Sequence, residues 1–128
     1  MEVWVNPACS KCRTAKAALD EAGIAYSERR YLDDPPTAQE LAGVLDRLGL
    51  QPWDVAREKE TREAGITLPR DATHRDDWIA AMVADPITIQ RPIITADDGT
   101  TVIARDPGTL DEVVARAHPR SGPRTTTS

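Results

Sequence analysis

The chain has 128 residues, a net charge of −5 and two cysteines, with 40% hydrophobic and 29% charged residues. That size suits one ordinary domain with its own core. The acidic balance argues against a direct nucleic-acid binder, and no apolar run approaches the length that spans a bilayer.

The start, M-E-V-W-V-N-P, lacks the basic segment and apolar run of a secretory signal, so a cytoplasmic location is expected. Cysteines in that compartment form disulfides mainly for transient or catalytic work. Val3 and Val5 alternate with Glu2 and Trp4, which predicts a short strand ending at Asn6-Pro7. From Ser10 the period changes: Ala15, Ala18, Leu19 and Ala22 share one helical face, and Gly23 is placed to cap it. Ile24 to Leu32 reads as a second strand, so the first third forms a βαβ unit with parallel strands.

The middle of the chain is helical. Thr37-Ala38-Gln39-Glu40 has the spacing of a capping box, followed by the stripe Leu41, Val44, Leu45, Leu48 and a stop at Gly49. Short helices are expected around Trp53–Glu63 and Arg75–Ala84, the second burying Trp78, Ile79, Met82 and Val83. Arg91–Ala96 and Thr100–Arg105 flank Asp97-Asp98-Gly99, a hairpin signal. Asp106 caps a last helix with Pro107 at its first position and the stripe Leu110, Val113, Val114, Ala117. The order β-α-β, helical insertion, β-hairpin, C-terminal helix is an α/β thioredoxin-like arrangement over residues 1–118. Residues 119–128 are polar and punctuated by Gly and Pro, and are expected to form a disordered tail.

Both cysteines, Cys9 and Cys12, sit in V-N-P-A-C-S-K-C-R between the first strand and the first helix. Placed at a helix start, Cys9 meets free backbone N–H groups and the positive end of the helix dipole, with Lys11 and Arg13 nearby. These effects favour the thiolate, which is the nucleophilic form. Cys12, one turn further in, is expected to be more buried and positioned to resolve a bond formed on Cys9. A CxxC pair is also half of a zinc site, but the chain has no second cysteine pair, and His74 and His118 are isolated. Redox or nucleophilic chemistry is therefore the better reading, with no metal. His74 reads as a loop or helix-start residue, and His118 is assigned no role.

N-P-A-C-x-x-C-R, the helical middle and the late R-P-I-I segment together resemble the ArsC/Spx family of thioredoxin-fold proteins, over about residues 2–117. Its best-known members are glutaredoxin-dependent arsenate reductases. The resemblance implies that Cys9 is the catalytic cysteine, Arg91 an active-site arginine and Pro92 a cis proline facing the cysteine. It also implies oxyanion-binding roles for Arg105, in V-I-A-R-D-P, and for Arg57, in W-D-V-A-R-E-K-E. Guanidinium forks suit a tetrahedral oxyanion. The activity so implied is reduction of an oxyanion such as arsenate by a monomer without a bound cofactor. Its reductant would be a low-molecular-weight thiol or a glutaredoxin-like or thioredoxin-like partner. Two departures keep alternatives open: C-S-K-C is more like Spx, and Val5 stands where the reductases often have histidine. The alternatives are an Spx-like redox-responsive regulator contacting RNA polymerase and a general thiol–disulfide oxidoreductase. The segment Ala104–Pro107 favours the reductase.

Overall fold

A computed structural model describes residues 1–117; the expected tail and His118 lie outside the described residues. The elements are β1 (Glu2–Val5), α1 (Ser10–Glu21), β2 (Ser27–Arg30), α2 (Ala38–Leu48), α3 (Glu58–Glu63), α4 (Arg75–Ala84), β3 (Ile93–Thr95), β4 (Thr101–Ile103) and α5 (Pro107–Ala117), with 3-10 turns at Pro52–Asp54, Ala72–His74 and Pro86–Thr88. The strands form one mixed sheet in the order β2-β1-β3-β4. Among the described residues two compact units emerge, one of Met1–Arg29 with residues 91–117 and the other of Arg30–Gln90.

The first unit carries most of the sheet. β1 pairs antiparallel with β3, setting Val3 opposite Ile94, and β3 pairs antiparallel with β4, setting Ile94 opposite Val102. Because side chains alternate along a strand, Val3 and Val5 share one face of β1. They join Cys12, Ala15, Leu19, Ile94, Ala104 and Leu110 in a buried cluster, with Val113 and Val114 packed at its edge. The α1 stripe thus meets the sheet through Ala15 and Leu19, as its periodicity predicts. Gly99 takes φ +89° in the hairpin turn, a conformation that favours glycine. At the start of α5, Asp106 Oδ1 accepts the Thr109 N–H at 3.1 Å.

The strands are shorter than the sequence pattern predicts. β2 covers only Ser27–Arg30 of the expected Ile24–Leu32. At one end the Ile24 N–H closes back on the Leu19 carbonyl (3.0 Å), finishing α1; at the other the Asp33 and Asp34 N–H groups both turn onto the Arg30 carbonyl (3.0 and 2.9 Å). Backbone groups spent on turns are lost to the ladder. The hairpin strands are trimmed likewise, although an Ala104 N–H to Pro92 carbonyl bond of 3.0 Å carries pairing one step beyond them.

The second unit is helical. α2 begins with the expected capping box: Thr37 Oγ1 accepts the Glu40 N–H (3.1 Å) and Glu40 Oε1 accepts the Thr37 N–H (2.9 Å). It ends at Gly49 with φ +70°. Leu41, Val44 and Leu45 are buried, as are Trp78, Ile79 and Met82 of α4, whereas Val83 is only partly covered. Trp53 and Trp78 meet edge to face at 6.3 Å, and Trp78 Nε1 donates to the Pro69 carbonyl (2.9 Å). Tyr31, fully buried, donates its hydroxyl to the Ile89 carbonyl at 3.0 Å. Among the described residues, no helix is long and apolar enough to cross a membrane.

Candidate active site

The segment Asn6–Cys9 turns the chain from β1 into α1. The Cys9 N–H donates to the Asn6 carbonyl at 2.9 Å, and Cys9 then takes the N-cap position with extended backbone, φ −87° and ψ 126°. The first turn of α1 holds no acidic residue. Cys9 is half-buried and Cys12 fully buried, both as free thiols. The expectation of an accessible first thiol and an enclosed second one therefore holds.

Their acidities diverge. Burial is the largest single influence on Cys9 and opposes its charge. The Cys12 backbone N–H, the Arg91 side chain, the Cys12 thiol and the Lys11 backbone N–H together outweigh it, and the Cys9 pKa falls to about 7. A thiol ordinarily titrates near 8.5, so a large fraction of Cys9 is thiolate at neutral pH. For Cys12, burial is again the largest influence. The Asn6 N–H and the Arg91 charge favour its thiolate, but the neighbouring Cys9 does not, and the Cys12 pKa rises to about 11. Sequence reasoning expected the order; the cause on the Cys12 side is enclosure in the core cluster.

Arg91 is buried at 6% exposure, an uncommon setting for a guanidinium unless it is paired. Its side chain hydrogen-bonds the Cys9 sulfur. The Arg91–Pro92 peptide is cis, as the resemblance implies. Arg105, half-buried, donates Nη1 to the Arg91 main-chain carbonyl at 2.7 Å. Cys9, Cys12, Arg91 and Arg105 thus form one connected group within the sheet unit, Arg105 joining it through the Arg91 backbone.

Arg57 belongs to the helical unit. It is the N-cap of α3, its N–H donates to the Thr88 carbonyl (2.7 Å), Nε lies 3.3 Å from Glu60 Oε2, and Nη1 donates to Gln90 Oε1 at 3.4 Å. Its guanidinium is engaged by neighbours in its own unit, among them the acid three residues on. His74 sits at the junction of a 3-10 turn and α4, with Nδ1 2.7 Å from Asp71 Oδ1, consistent with a helix-start residue. Among the described residues, no group of three or more His, Cys, Asp or Glu side chains is arranged to hold a metal ion. A cavity of about 610 Å³, lined by Gly23, Ile94, Val102, Val113 and Ala117 among others, includes neither cysteine nor Arg91. Asn6 was missed by the sequence reading of the site, although Asn-Pro is a turn-initiating dipeptide.

The model of the ArsC family matches residues 4–113. The chain belongs to the ArsC family. An arsenate reductase of Neisseria meningitidis is 30% identical over 89% of this chain and 97% of its own length. An uncharacterized protein encoded in the glnII region of Streptomyces viridochromogenes is 52% identical over 91% of this chain and all of its own. The solved structure of an arsenate reductase from Vibrio cholerae superposes with a TM-score of 0.75 at 31% identity, covering 88% of this chain and 98% of that one. The fold is accordingly the α/β, thioredoxin-like fold of ArsC proteins. In this member of the family, the matched span includes both cysteines, the cis proline and all three arginines.

Proposed function

We propose that this protein is an arsenate reductase-like thiol oxidoreductase in which the Cys9 thiolate attacks a bound oxyanion. One observation carries the reading: a half-exposed thiol at a helix start, with its pKa near 7, is hydrogen-bonded by a buried arginine. A thiolate of that kind combines nucleophilicity with partial ionisation at working pH. Membership of the ArsC family and likeness to arsenate reductases supply the substrate class.

In this reading arsenate rests beside Cys9 with its charge met by Arg91, and Arg105 reinforces the site. The Cys9 sulfur bonds to arsenic(V), and an oxygen leaves as hydroxide, taking a proton to become water. A second thiol then attacks the Cys9 sulfur. The sulfur–arsenic bond breaks with its electron pair staying on arsenic, so arsenic(V) becomes arsenic(III) as two thiols become a disulfide. The attacking thiol is a small thiol, a glutaredoxin-like or thioredoxin-like partner, or Cys12. In the last case an external dithiol returns two electrons to the Cys9–Cys12 disulfide. The reading places the protein in the cytoplasm as a monomer, where the reducing pool keeps Cys9 free.

The contact between the Cys9 and Cys12 side chains also favours a second reading, general thiol–disulfide exchange without oxyanion specificity. Arsenate-dependent oxidation of thiols, followed with purified protein and a glutaredoxin or small-thiol supply, separates the two. The reductase reading expects turnover that Cys9→Ser abolishes and that sulfate or phosphate inhibits. Disulfide exchange that ignores arsenate, with no oxyanion slowing of Cys9 alkylation, refutes it in favour of the second.

A further inference from the structure

Asn6 is 7% exposed and directly follows β1. Three of its polar groups are used, each in the cysteine segment. Its Oδ1 accepts the Ala8 N–H at 3.0 Å, an Asx turn that asparagine and aspartate make readily. Its carbonyl accepts the Cys9 N–H at 2.9 Å, closing a turn with Pro7 at the second position, where proline is favoured. Its own N–H, which at the end of a strand would ordinarily look for a carbonyl, points instead at Cys12 Sγ at 3.4 Å. The backbone of this one residue is therefore hydrogen-bonded to both cysteines, and its side chain holds the turn that leads into Cys9.

We propose that Asn6 is the positioning residue of the cysteine pair, its side-chain amide fixing the turn that delivers Cys9 to the start of α1 and its backbone N–H aiming at the Cys12 sulfur. This rests on the reading of Cys9 as the nucleophile. Cys9 benefits from the Lys11 and Cys12 amides and from Arg91 only while it occupies the N-cap position. Loosening the turn lets the sulfur swing away from those donors, and the thiolate loses them together. An apolar side chain of similar size fills the space but cannot accept the Ala8 N–H. Aspartate accepts it but adds a charge beside two thiols.

The test is the pH dependence of Cys9 alkylation by iodoacetamide in the full chain, read by mass mapping, with thermal unfolding measured alongside. In the parent protein the midpoint is expected at about 7. Asn6→Ala is expected to move it up by about one pH unit, so the rate at pH 7 falls roughly fivefold while the alkaline plateau is unchanged. Asn6→Ser, whose hydroxyl closes the same kind of turn more weakly, should recover most of the rate. Asn6→Asp should hold the turn yet raise the midpoint through its charge, and added salt should shrink that rise. A lowered melting temperature with an unmoved midpoint in Asn6→Ala makes Asn6 merely structural and overturns the proposal. If Asn6→Ala does not fold, a parental midpoint in Asn6→Leu, which fills the space but cannot accept the Ala8 N–H, overturns it instead. A parent midpoint near the ordinary thiol value of about 8.5 refutes the nucleophile reading and the proposal together. A parent midpoint near 7 that no substitution moves refutes the proposal alone.

Discussion

Replacing Arg91 with alanine tests how much of the Cys9 thiolate depends on one guanidinium. Arg91 is buried and hydrogen-bonds the Cys9 sulfur, and a hydrogen bond to a charged group contributes about 1.5–3 kcal/mol. At about 1.36 kcal/mol per pH unit, that corresponds to a rise of roughly one to two units in the Cys9 midpoint. Cys9 is half-exposed, so solvent screening favours the lower end, about one unit. Starting from a pKa of about 7, the thiolate fraction at pH 7 then drops from about a half to about a tenth. Stopped-flow or quenched alkylation across the pH range reads this directly: about a fivefold loss of rate at pH 7 that closes by about pH 10. The backbone geometry should survive, because Arg105 holds the Arg91 main-chain carbonyl rather than its side chain. Arg91→Lys keeps the charge without the fork and should shift the midpoint less while still weakening oxyanion protection. A midpoint within about 0.2 units of the parent in Arg91→Ala would mean that the helix-start amides alone set the thiolate, and that Arg91 has no part in lowering the Cys9 pKa.

Three further outcomes are expected. Between pH 7 and 9 alkylation should modify Cys9 almost alone: its depressed pKa of about 7 gives reactivity that rises as pH passes that value, whereas the raised pKa of about 11 keeps Cys12 protonated and buried. Peptide mapping that finds Cys12 labelled first reverses the assignment. Arg105→Ala should reduce the protection of Cys9 by sulfate or arsenate by about three- to tenfold, the loss of roughly one hydrogen bond at the Arg91 carbonyl, with little change in the Cys9 midpoint; unchanged protection in a competition assay removes Arg105 from the site. Thr37→Ala breaks the capping box of α2 and should destabilise the chain by about 1 kcal/mol in urea unfolding while leaving Cys9 alkylation untouched.

Much of this architecture was legible because local rules and tertiary packing agree where they overlap. The capping box at Thr37 and Glu40, the span Arg75–Ala84 and the Gly49 stop all appear where the sequence places them. The strand ends were not legible. Whether Ile24 or Tyr31 continues a ladder depends on turns that capture its neighbours' backbone groups, and apolar alternation does not encode those turns. At the site, the cysteine spacing and the helix after it were enough to order the two thiols. The partners of the arginines were not readable in the same way. Nothing in V-I-A-R-D-P says that Arg105 will bond the Arg91 main chain, because that contact spans a hairpin whose register sets it. Arg57 is different: Glu60 stands three residues later in R-E-K-E, a helical spacing that announces an ion pair.

The pairing of one half-buried acidic thiol with one fully buried, weakly acidic one bears on the order of events in the proposed reaction. Three steps along the helix lead from Cys9 to Cys12, a rise of about 4.5 Å, yet this carries the chain from a polar helix start into the core cluster. While Cys9 is a thiolate, its charge is one of the influences that hold the proton on Cys12. Formation of a bond from Cys9 to arsenic, or to a partner's sulfur, discharges that thiolate. The repulsion on Cys12 disappears with it, while the Asn6 N–H and the Arg91 charge, both of which favour the Cys12 thiolate, remain. Cys12 therefore becomes more acidic only after Cys9 has reacted. Burial, the largest influence on Cys12, still opposes its ionisation, so attack by Cys12 is slow unless the adduct holds it close. An external thiol of ordinary acidity faces no such penalty. The competition between the two resolving routes accordingly turns on how tightly the adduct excludes a second thiol.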